Sequence, residues 1–159
     1  MTEFGDIYRR HAKEVYRFAL GLCGDHHRAE ELAAEAFERA LLSSAPIRAE
    51  TVRAYLFTIA RNVYLQSLER SRRLTTLEDE HVTRELGQDV RAEQRDQLAR
   101  TLAALQRLPE TDRAALLMHA EEEMSYQAIA NALGISLAAV KVRIHRARIR
   151  LAQMMEETK

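Results

Sequence analysis

A dense run of basic side chains near the C-terminus is the clearest chemical feature of this sequence. Residues 136–151 carry no acidic residue, although the whole chain has 24 basic and 24 acidic residues. The basic residues of this run are Lys141, Arg143, Arg146, Arg148 and Arg150. Positive charge at this density is typical of a surface that contacts the phosphates of a nucleic acid.

The residues before this run predict how it is positioned. Ser125 can cap a short helix over residues 126–133, Gly134 can supply a turn, and Ser136 can cap a final helix that runs to about Met155. A short helix, a glycine turn and a longer basic helix follow the order of the helix-turn-helix, whose second helix enters the major groove of DNA. The alternative is a solvated basic helix that only closes a bundle.

Helical spacing divides the final helix into three sets of residues. An apolar face must pack on the preceding helices: Val140, Ile144, Ala147, Leu151 and Met154. An outward ridge lies opposite: Val142, His145 and Arg146. Four basic residues flank this ridge: Lys141, Arg143, Arg148 and Arg150. We predict that the flanking residues hold phosphates and that the ridge reads bases, with Arg146 on guanine, Val142 on a thymine methyl group and His145 as donor or acceptor.

A second group of reactive side chains, near residue 25, raises the question of a metal site. Cys23, His26 and His27 are close in sequence and His11 could lie nearby, but their spacing fits no metal-binding motif. Cys23 is the only cysteine, so an internal disulfide is excluded. We therefore expect no enzyme, no metal and no other cofactor.

Helices are predicted to carry all of these residues. The composition, 47% hydrophobic and 30% charged with few Gly and Pro, is typical of a mostly helical protein. Apolar spacing predicts a first helix over residues 4–22 that stops at Gly24, a second capped by Asp25 and ended by the breaker at residues 43–46, and a third that begins near Thr51. No run approaches the ~18 apolar residues that cross a bilayer, so we expect a cytoplasmic protein without membrane insertion.

Residues 75–89 are predicted to form a flexible, exposed linker, because the periodicity fails there and acidic residues accumulate. Apolar spacing resumes through Leu98, and Pro109 can open the next helix. This predicts an all-α fold of two small helical domains, residues 1–74 and 90–159, the second ending in the helix-turn-helix.

Several segments, in this order, resemble the extracytoplasmic-function (ECF) sigma factors of bacterial RNA polymerase over nearly the whole chain. Those similar to the family's fourth conserved region are residues 108–109, 125–130, 133–136 and 140–148. In that family this region binds the promoter element near minus thirty-five. Residues 29–37 resemble the polymerase-binding part of the second region, and residues 54–62 the part that opens the minus-ten element. The resemblance implies a protein that binds core RNA polymerase and directs promoter-specific initiation of transcription.

The resemblance also implies a polymerase-binding face on the second helix: Glu30, Glu31, Ala34, Glu35 and Glu38. The residue pattern agrees, because like charges four residues apart, as at Glu31 and Glu35, cost an isolated helix a few tenths of a kcal/mol, about 0.2–0.5. A basic partner would remove that cost. The alternative is a plain solvated acidic face.

For the minus-ten element, the resemblance implies five residues of the third helix: Arg53, Tyr55, Arg61, Asn62 and Gln66. Arginines that alternate with aromatic rings are expected where a strand is held by charge and its bases stack. By the resemblance, Asn62 and the loop over residues 43–50 form a pocket for a flipped-out promoter base, and an amide side chain suits a base edge.

The chain departs from the usual family pattern at several positions. The family commonly has Asp and Gln where this chain has Glu31 and Ala34, and Trp in place of Tyr55. It also has a basic residue near Thr58, Thr at Ala139 and Ser at Val142. These departures concern polymerase affinity and promoter sequence more than the fold. Val142 predicts a changed base preference, because a methyl contact replaces a hydroxyl.

Two questions about function stay open at this point. The first is whether the protein is instead a stand-alone helix-turn-helix regulator that acts without core polymerase. The second question is control, by an anti-sigma factor or by a Ser/Thr kinase. Thr51, with Arg48 and Arg53 close by, is the candidate phosphosite, because a phosphate there gains from a helix N-terminus and from arginine pairing. The alternative is that Thr51 is only an N-cap.

Overall fold

The computed structural model describes residues 3–43, 52–74, 92–122 and 124–157. These residues form seven α-helices and no strand: α1 (Glu3–Cys23), α2 (His26–Leu42), α3 (Val52–Leu74), α4 (Ala92–Gln106), α5 (Glu110–Glu122), α6 (Tyr126–Leu133) and α7 (Leu137–Glu157). The all-α prediction is therefore confirmed. The predicted linker, residues 75–89, lies outside the described residues.

Short-range signals in the sequence place most of the helix ends. Gly24 adopts a left-handed φ of 76° and ends α1, and the Asp25 side chain accepts from the backbone N–H of His27 at 3.0 Å to cap α2. At the helix-turn-helix, the Ser125 hydroxyl accepts from Ala128 N–H and the Ser136 hydroxyl from Ala139 N–H, both at 3.1 Å. Gly134 ends α6 with φ 68°. The three predicted caps and both glycine turns are confirmed.

Helices α1, α2 and α3 pack together around large apolar side chains. Phe18 of α1 and Phe57 of α3 are fully buried and stack with ring centroids 4.6 Å apart. Val15, Leu22 and Leu56 are also fully buried. This packing presents the outer faces of α2 and α3 to solvent.

In the C-terminal half, α7 packs against α5, α6 and α4 with the predicted apolar face. Val140, Ile144 and Ala147 are buried, and Leu151 and Met154 are half-buried. Met118 of α5 and Ile129 of α6 are fully buried in the same core.

Leu98 does not join this core, contrary to its predicted place in an apolar stripe. Its side chain is 40% exposed, while Leu102 and Leu105 further along α4 are buried. The surrounding residues 96–100 are all exposed, so no helix among the described residues covers this part of α4.

The two halves dock against each other and share one continuous hydrophobic cluster. Helix α1 contacts α4 and α5, and α3 contacts α6. At Gly21 a Cβ atom would lie only 2.6 Å from a methyl carbon of Leu117, so the absence of a side chain permits the close approach of α1 to α5. The sequence left docking or separation open, and the structure shows docking.

Polar contacts also join the halves. The Gln106 amide donates to the backbone oxygen of Gly21 at 3.0 Å. The buried guanidinium of Arg113 donates from Nη1 to the backbone oxygen of Leu22 and, at 3.1 Å, to the hydroxyl of Tyr64. Docking therefore supplies hydrogen bonds to Gln106 and Arg113 and also buries apolar surface.

No single helix in the described part of the chain is long and apolar enough to cross a membrane; α6 and α7 meet that test only as a pair bent by 101°.

Candidate nucleic-acid interface

All three residues of the outward ridge of α7 reach solvent, although Arg146 is less exposed than Val142 and His145. Val142 is 58% exposed, and His145 is also exposed. Three of the flanking basic residues, Lys141, Arg148 and Arg150, are exposed as well. An apolar side chain with basic neighbours on an exposed helix offers contacts to both a base edge and the phosphate backbone.

Arg146, the third ridge residue, does not point straight outward as the helical spacing predicted. Its Nε and Nη2 donate to the Asp112 carboxylate at 2.8 and 2.9 Å, and Arg143 Nη1 donates to the same carboxylate at 2.8 Å. Asp112 lies in the first turn of α5 and is fully buried. The carboxylate draws Arg146 toward Arg143 and away from the axis of the ridge.

The Asp112 carboxylate is held in its charged form. Burial by itself raises its pKa, but hydrogen bonds and charge from Arg146 and Arg143 act in the opposite direction, and the net pKa lies below the usual value for Asp. The same hydrogen bond raises the pKa of Arg146. The three side chains therefore form a charged cluster at neutral pH.

The five residues predicted for the minus-ten element all lie on α3, but they differ in accessibility. Asn62 is exposed and Tyr55 is half-buried against the core. Arg53 donates to both carboxylate oxygens of Glu14, at 3.2 and 2.8 Å. The Gln66 oxygen accepts from Arg39 at 2.8 Å. To bind a DNA strand, Arg53 and Gln66 must therefore give up these contacts within the protein.

Arg61 is held by the C-terminal half. Its Nε and Nη2 donate to the two carboxylate oxygens of Glu110 at 2.8 and 2.7 Å, in a side-by-side pair. The side chains are only 14% and 19% exposed. While the halves are docked, this predicted minus-ten residue is therefore paired with an acid of α5.

The predicted polymerase-binding face of α2 is open to solvent. Glu30, Glu31, Ala34 and Glu38 are exposed and Glu35 is half-buried. The like-charge cost expected of Glu31 and Glu35 is reduced within the helix itself. Arg39 donates to Glu35 at 2.7 Å and so compensates the charge of one member of the pair.

Thr51, Arg48 and residues 44–50 of the predicted base pocket lie outside the described residues. The phosphosite and most of the pocket therefore stay predictions from the sequence.

The Cys and His residues considered for metal binding make other contacts. Cys23 Sγ donates to the backbone oxygen of Asp25 at 3.4 Å, and burial raises the pKa of this thiol. His26 Nδ1 lies 2.7 Å from the Tyr16 hydroxyl, and His11 Nδ1 lies 2.8 Å from Glu14. Over the described residues, no three His, Cys, Asp or Glu side chains are grouped to hold a metal ion.

Sequence reasoning missed the two acids of α5 that engage these arginines. Glu110 and Asp112 follow Pro109 at the start of a helix, where acids are common because they favour the helix N-terminus. Nothing in the neighbouring sequence marked Asp112, because it stands between Thr111 and Arg113 and the arginines that it binds lie 31 and 34 residues further along the chain.

The fold and this surface together define a helical DNA-binding protein built from two docked halves, one carrying a helix-turn-helix. Two families match it, one in each half: Sigma-70 region 2 over residues 7–74, and Sigma-70 region 4 over residues 98–151. The ECF RNA polymerase sigma factor SigL of Mycobacterium tuberculosis is 34% identical over 145 residues, which cover 87% of this chain and 81% of SigL. The chain therefore belongs to the ECF sigma factors of RNA polymerase.

Other relatives differ in length and identity. SigM of Bacillus subtilis is 28% identical, with 92% of this chain and 91% of SigM covered. SigE of Mycolicibacterium smegmatis is 35% identical over 95% of this chain, but the chain spans only 61% of the length of SigE.

Solved structures show the same fold. The sigma factor RpoE in complex with the anti-sigma factor NepR from Bartonella quintana has a TM-score of 0.76 at 24% identity, with 98% of both chains covered. CnrH in complex with the cytosolic domain of CnrY has a TM-score of 0.68 at 26% identity, with 98% of this chain and 89% of CnrH covered.

Proposed function

We propose that this chain attaches to core RNA polymerase through α2 and brings two DNA-binding surfaces, on α7 and α3, to a promoter. The observation that carries the proposal is the capped helix-turn-helix, which presents Val142 and His145 to solvent among basic residues. The proposed partner requires a cytoplasmic location, and the chain itself performs no catalytic step in this role.

On α7, the proposal assigns Val142, His145 and Arg146 to base edges of the minus-thirty-five element. Phosphate contacts are assigned to Lys141, Arg143, Arg148 and Arg150. This division is supported by the exposure of the ridge and by the width of the major groove, which admits one α-helix with basic residues toward each bordering backbone.

On α3, we assign contact with the minus-ten element to Arg53, Tyr55, Arg61, Asn62 and Gln66. The exposed amide of Asn62 can donate to and accept from a base edge. Arg61 reaches DNA only after it leaves Glu110, so the assignment requires the halves to separate at this contact.

The polymerase contact is assigned to the exposed face of α2: Glu30, Glu31, Ala34, Glu35 and Glu38. The net negative charge of this face favours a basic partner surface. The first experiment mixes the purified chain with core RNA polymerase and measures co-elution and transcription from DNA selected by the mixture. We expect both, and we expect Glu38→Lys to weaken co-elution.

Glu156→Lys is a matched control, because it reverses an exposed acid on α7, far along the chain from α2. It should leave polymerase binding unchanged. A chain that binds specific DNA but neither co-elutes with core enzyme nor starts transcription would be a stand-alone helix-turn-helix regulator, and the sigma-factor proposal would be wrong.

For regulation, we propose control by an anti-sigma factor, as in the complexes of RpoE with NepR and CnrH with CnrY, or by a Ser/Thr kinase acting at Thr51. If a kinase controls the protein, a Thr51→Asp chain should bind polymerase or support transcription better than the wild type. Equal activity of the two chains would remove the kinase route.

A further inference from the structure

A buried carboxylate sits directly behind the proposed base-reading surface. Asp112 is fully buried in the first turn of α5, yet both of its oxygens face α7. They accept three hydrogen bonds of 2.8–2.9 Å, two from Arg146 and one from Arg143. A buried acid with two arginine partners from one helix is a specific arrangement, because an unpaired charge would be expensive there.

The contact holds the arginines without hiding them. The side chains of Arg143 and Arg146 remain 33% and 42% exposed. A guanidinium has five N–H donors, and Arg146 uses Nε and one Nη2 donor on the carboxylate. Its Nη1 donors and the second Nη2 hydrogen are left for another acceptor.

Orientation before binding affects recognition. A free arginine side chain samples many rotamers, and binding must otherwise remove this entropy. A side chain already fixed by a neighbour loses less entropy on binding and tolerates fewer misplaced acceptors. A fixed Arg146 would therefore discriminate between bases more strongly than a mobile one.

The same carboxylate also limits attraction to DNA in general. Two arginines and one aspartate contribute a net charge of about one, where two unpaired arginines would contribute two. Affinity for DNA of any sequence grows with the number of phosphates that a protein neutralises. Asp112 therefore lowers sequence-independent binding and sharpens the orientation that sequence-dependent binding uses.

We infer that Asp112 is a positioning residue for promoter recognition, which sets the side chains of Arg143 and Arg146 for the minus-thirty-five element while restraining nonspecific DNA binding. This inference rests on the proposed role of α7 in promoter recognition. A purely structural role, in which Asp112 only fastens α5 to α7, would instead make both kinds of DNA binding weaker or leave both unchanged.

The test uses the full chain bound to core RNA polymerase and a DNA duplex that the wild-type holoenzyme has selected. Binding is measured to this duplex, to versions with single base-pair changes in the minus-thirty-five element, and to unrelated DNA, each over a range of salt. Asp112→Asn preserves the shape of the side chain but removes its charge. Asp96→Asn is the matched control, because it makes the same change at an exposed position of α4.

For Asp112→Asn we expect discrimination between the selected and changed duplexes to fall about tenfold, the scale of one good arginine–base contact. Affinity for unrelated DNA should rise, and the dependence of log affinity on log salt should steepen by up to about one unit. Asp96→Asn should alter neither quantity.

Asp112→Glu provides a second variant that retains the charge. It displaces the carboxylate by one methylene, so we expect reduced discrimination with an unchanged salt dependence. The inference is overturned if the folded Asp112→Asn and Asp112→Glu chains discriminate as well as the wild type. If the wild-type holoenzyme itself selects no minus-thirty-five sequence, the proposed function fails instead, and the two failures are distinguishable.

Discussion

Val142 presents two methyl groups to solvent near the start of the basic helix α7 and is 58% exposed. Such exposure of an aliphatic side chain contributes little to folding, so its proposed use is contact with a thymine methyl group. Val142→Ser replaces the methyl groups with a hydroxyl. We expect the holoenzyme to change its base preference at one position of the minus-thirty-five element, by up to about tenfold, which selection from a randomised promoter library would measure.

Ile149 offers a control for this change, because it is 47% exposed on the same helix, seven residues further on. Helix-turn-helix proteins read bases mainly with the N-terminal residues of the second helix, so Ile149→Ser should leave the preference intact. A Val142→Ser holoenzyme that selects the wild-type sequence would contradict the assignment of Val142.

Two buried or half-buried acids predict how stability depends on pH. Burial raises the pKa of Asp112 and of Glu14, but their arginine contacts, with His11 also on Glu14, lower both net pKa values below the usual range. A lowered folded-state pKa stabilises the protein above the unfolded-state pKa, about 3.9 for Asp and 4.3 for Glu, and this stabilisation disappears as pH falls through the folded-state value.

We therefore expect the thermal unfolding midpoint to fall steeply below about pH 4, and to fall less in Asp112→Asn than in the wild type. Circular dichroism melts from neutral to acidic pH measure this difference. Parallel pH curves for the two chains would show that Asp112 contributes no such linkage.

Single residues also show where sequence reasoning was sufficient. The exposure of Val142 and His145 follows from helical spacing alone, since both lie opposite the apolar face. The position of Arg146 does not, because its partner Asp112 is 34 residues away along the chain. A flexible side chain goes where the nearest opposite charge is, and helical spacing carries no information about that charge.

At the scale of elements, the turn between α6 and α7 depends on one glycine. Gly134 has φ 68°, and a Cβ atom added there would meet nothing within 4 Å. Gly134→Ala should therefore lose only the backbone preference, about 1 kcal/mol of unfolding free energy, and Gly134→Asn should lose less. Chemical denaturation measures both.

Gly24 is the comparison, because its φ is 76° and a Cβ atom there would lie 3.0 Å from the Gln106 side chain. Gly24→Ala should cost more than Gly134→Ala, since it strains the backbone and also crowds a residue that joins the halves. An equal or smaller loss at Gly24 would show that Gln106 adjusts without cost.

Helix boundaries were predictable because their signals are local. The side chains of Asp25, Ser125 and Ser136 each cap a helix, because they accept from a backbone N–H only two or three residues away. Leu98 was assigned incorrectly because its burial depends on a neighbouring helix, which periodicity assumes but does not identify.

At the scale of the whole molecule, acidic residues in the first turn of α5 bind arginines from both proposed DNA-binding surfaces. Glu110 binds Arg61 of α3, and Asp112 binds Arg143 and Arg146 of α7. Glu110→Gln removes the charge that holds Arg61, so we expect the halves to separate more often. A compact chain of this length has a radius of gyration of about 15 Å, and small-angle X-ray scattering should give a larger value for this variant.

Glu14→Gln is the matched control, because it breaks the pair with Arg53 inside the N-terminal half and leaves the contact between halves in place. Its radius of gyration should equal that of the wild type. If Glu110→Gln is as compact as Glu14→Gln, the Arg61 pair does not govern separation.

The docking of the halves was not predictable from the sequence. Arg61 and Glu110 are 49 residues apart, and the close approach of Gly21 to Leu117 joins positions even more distant. Each half also has an ordinary apolar core pattern, so the pattern alone does not distinguish a docked surface from an exposed one. The family match explains which halves are present but not how tightly they hold each other.

The C-terminal half of the molecule caps the last turn of helix α1. The last carbonyl groups of a helix have no partner within it, and in α1 those of Gly21 and Leu22 accept from Gln106 and Arg113. The guanidinium also places a cation at the negative end of the helix dipole. When the halves part, α1 loses its cap, so unwinding of its last turn and opening of the molecule are linked. Deuterium uptake by the backbone amides of that turn therefore reports how often the halves separate. The measurement needs no label on the C-terminal half.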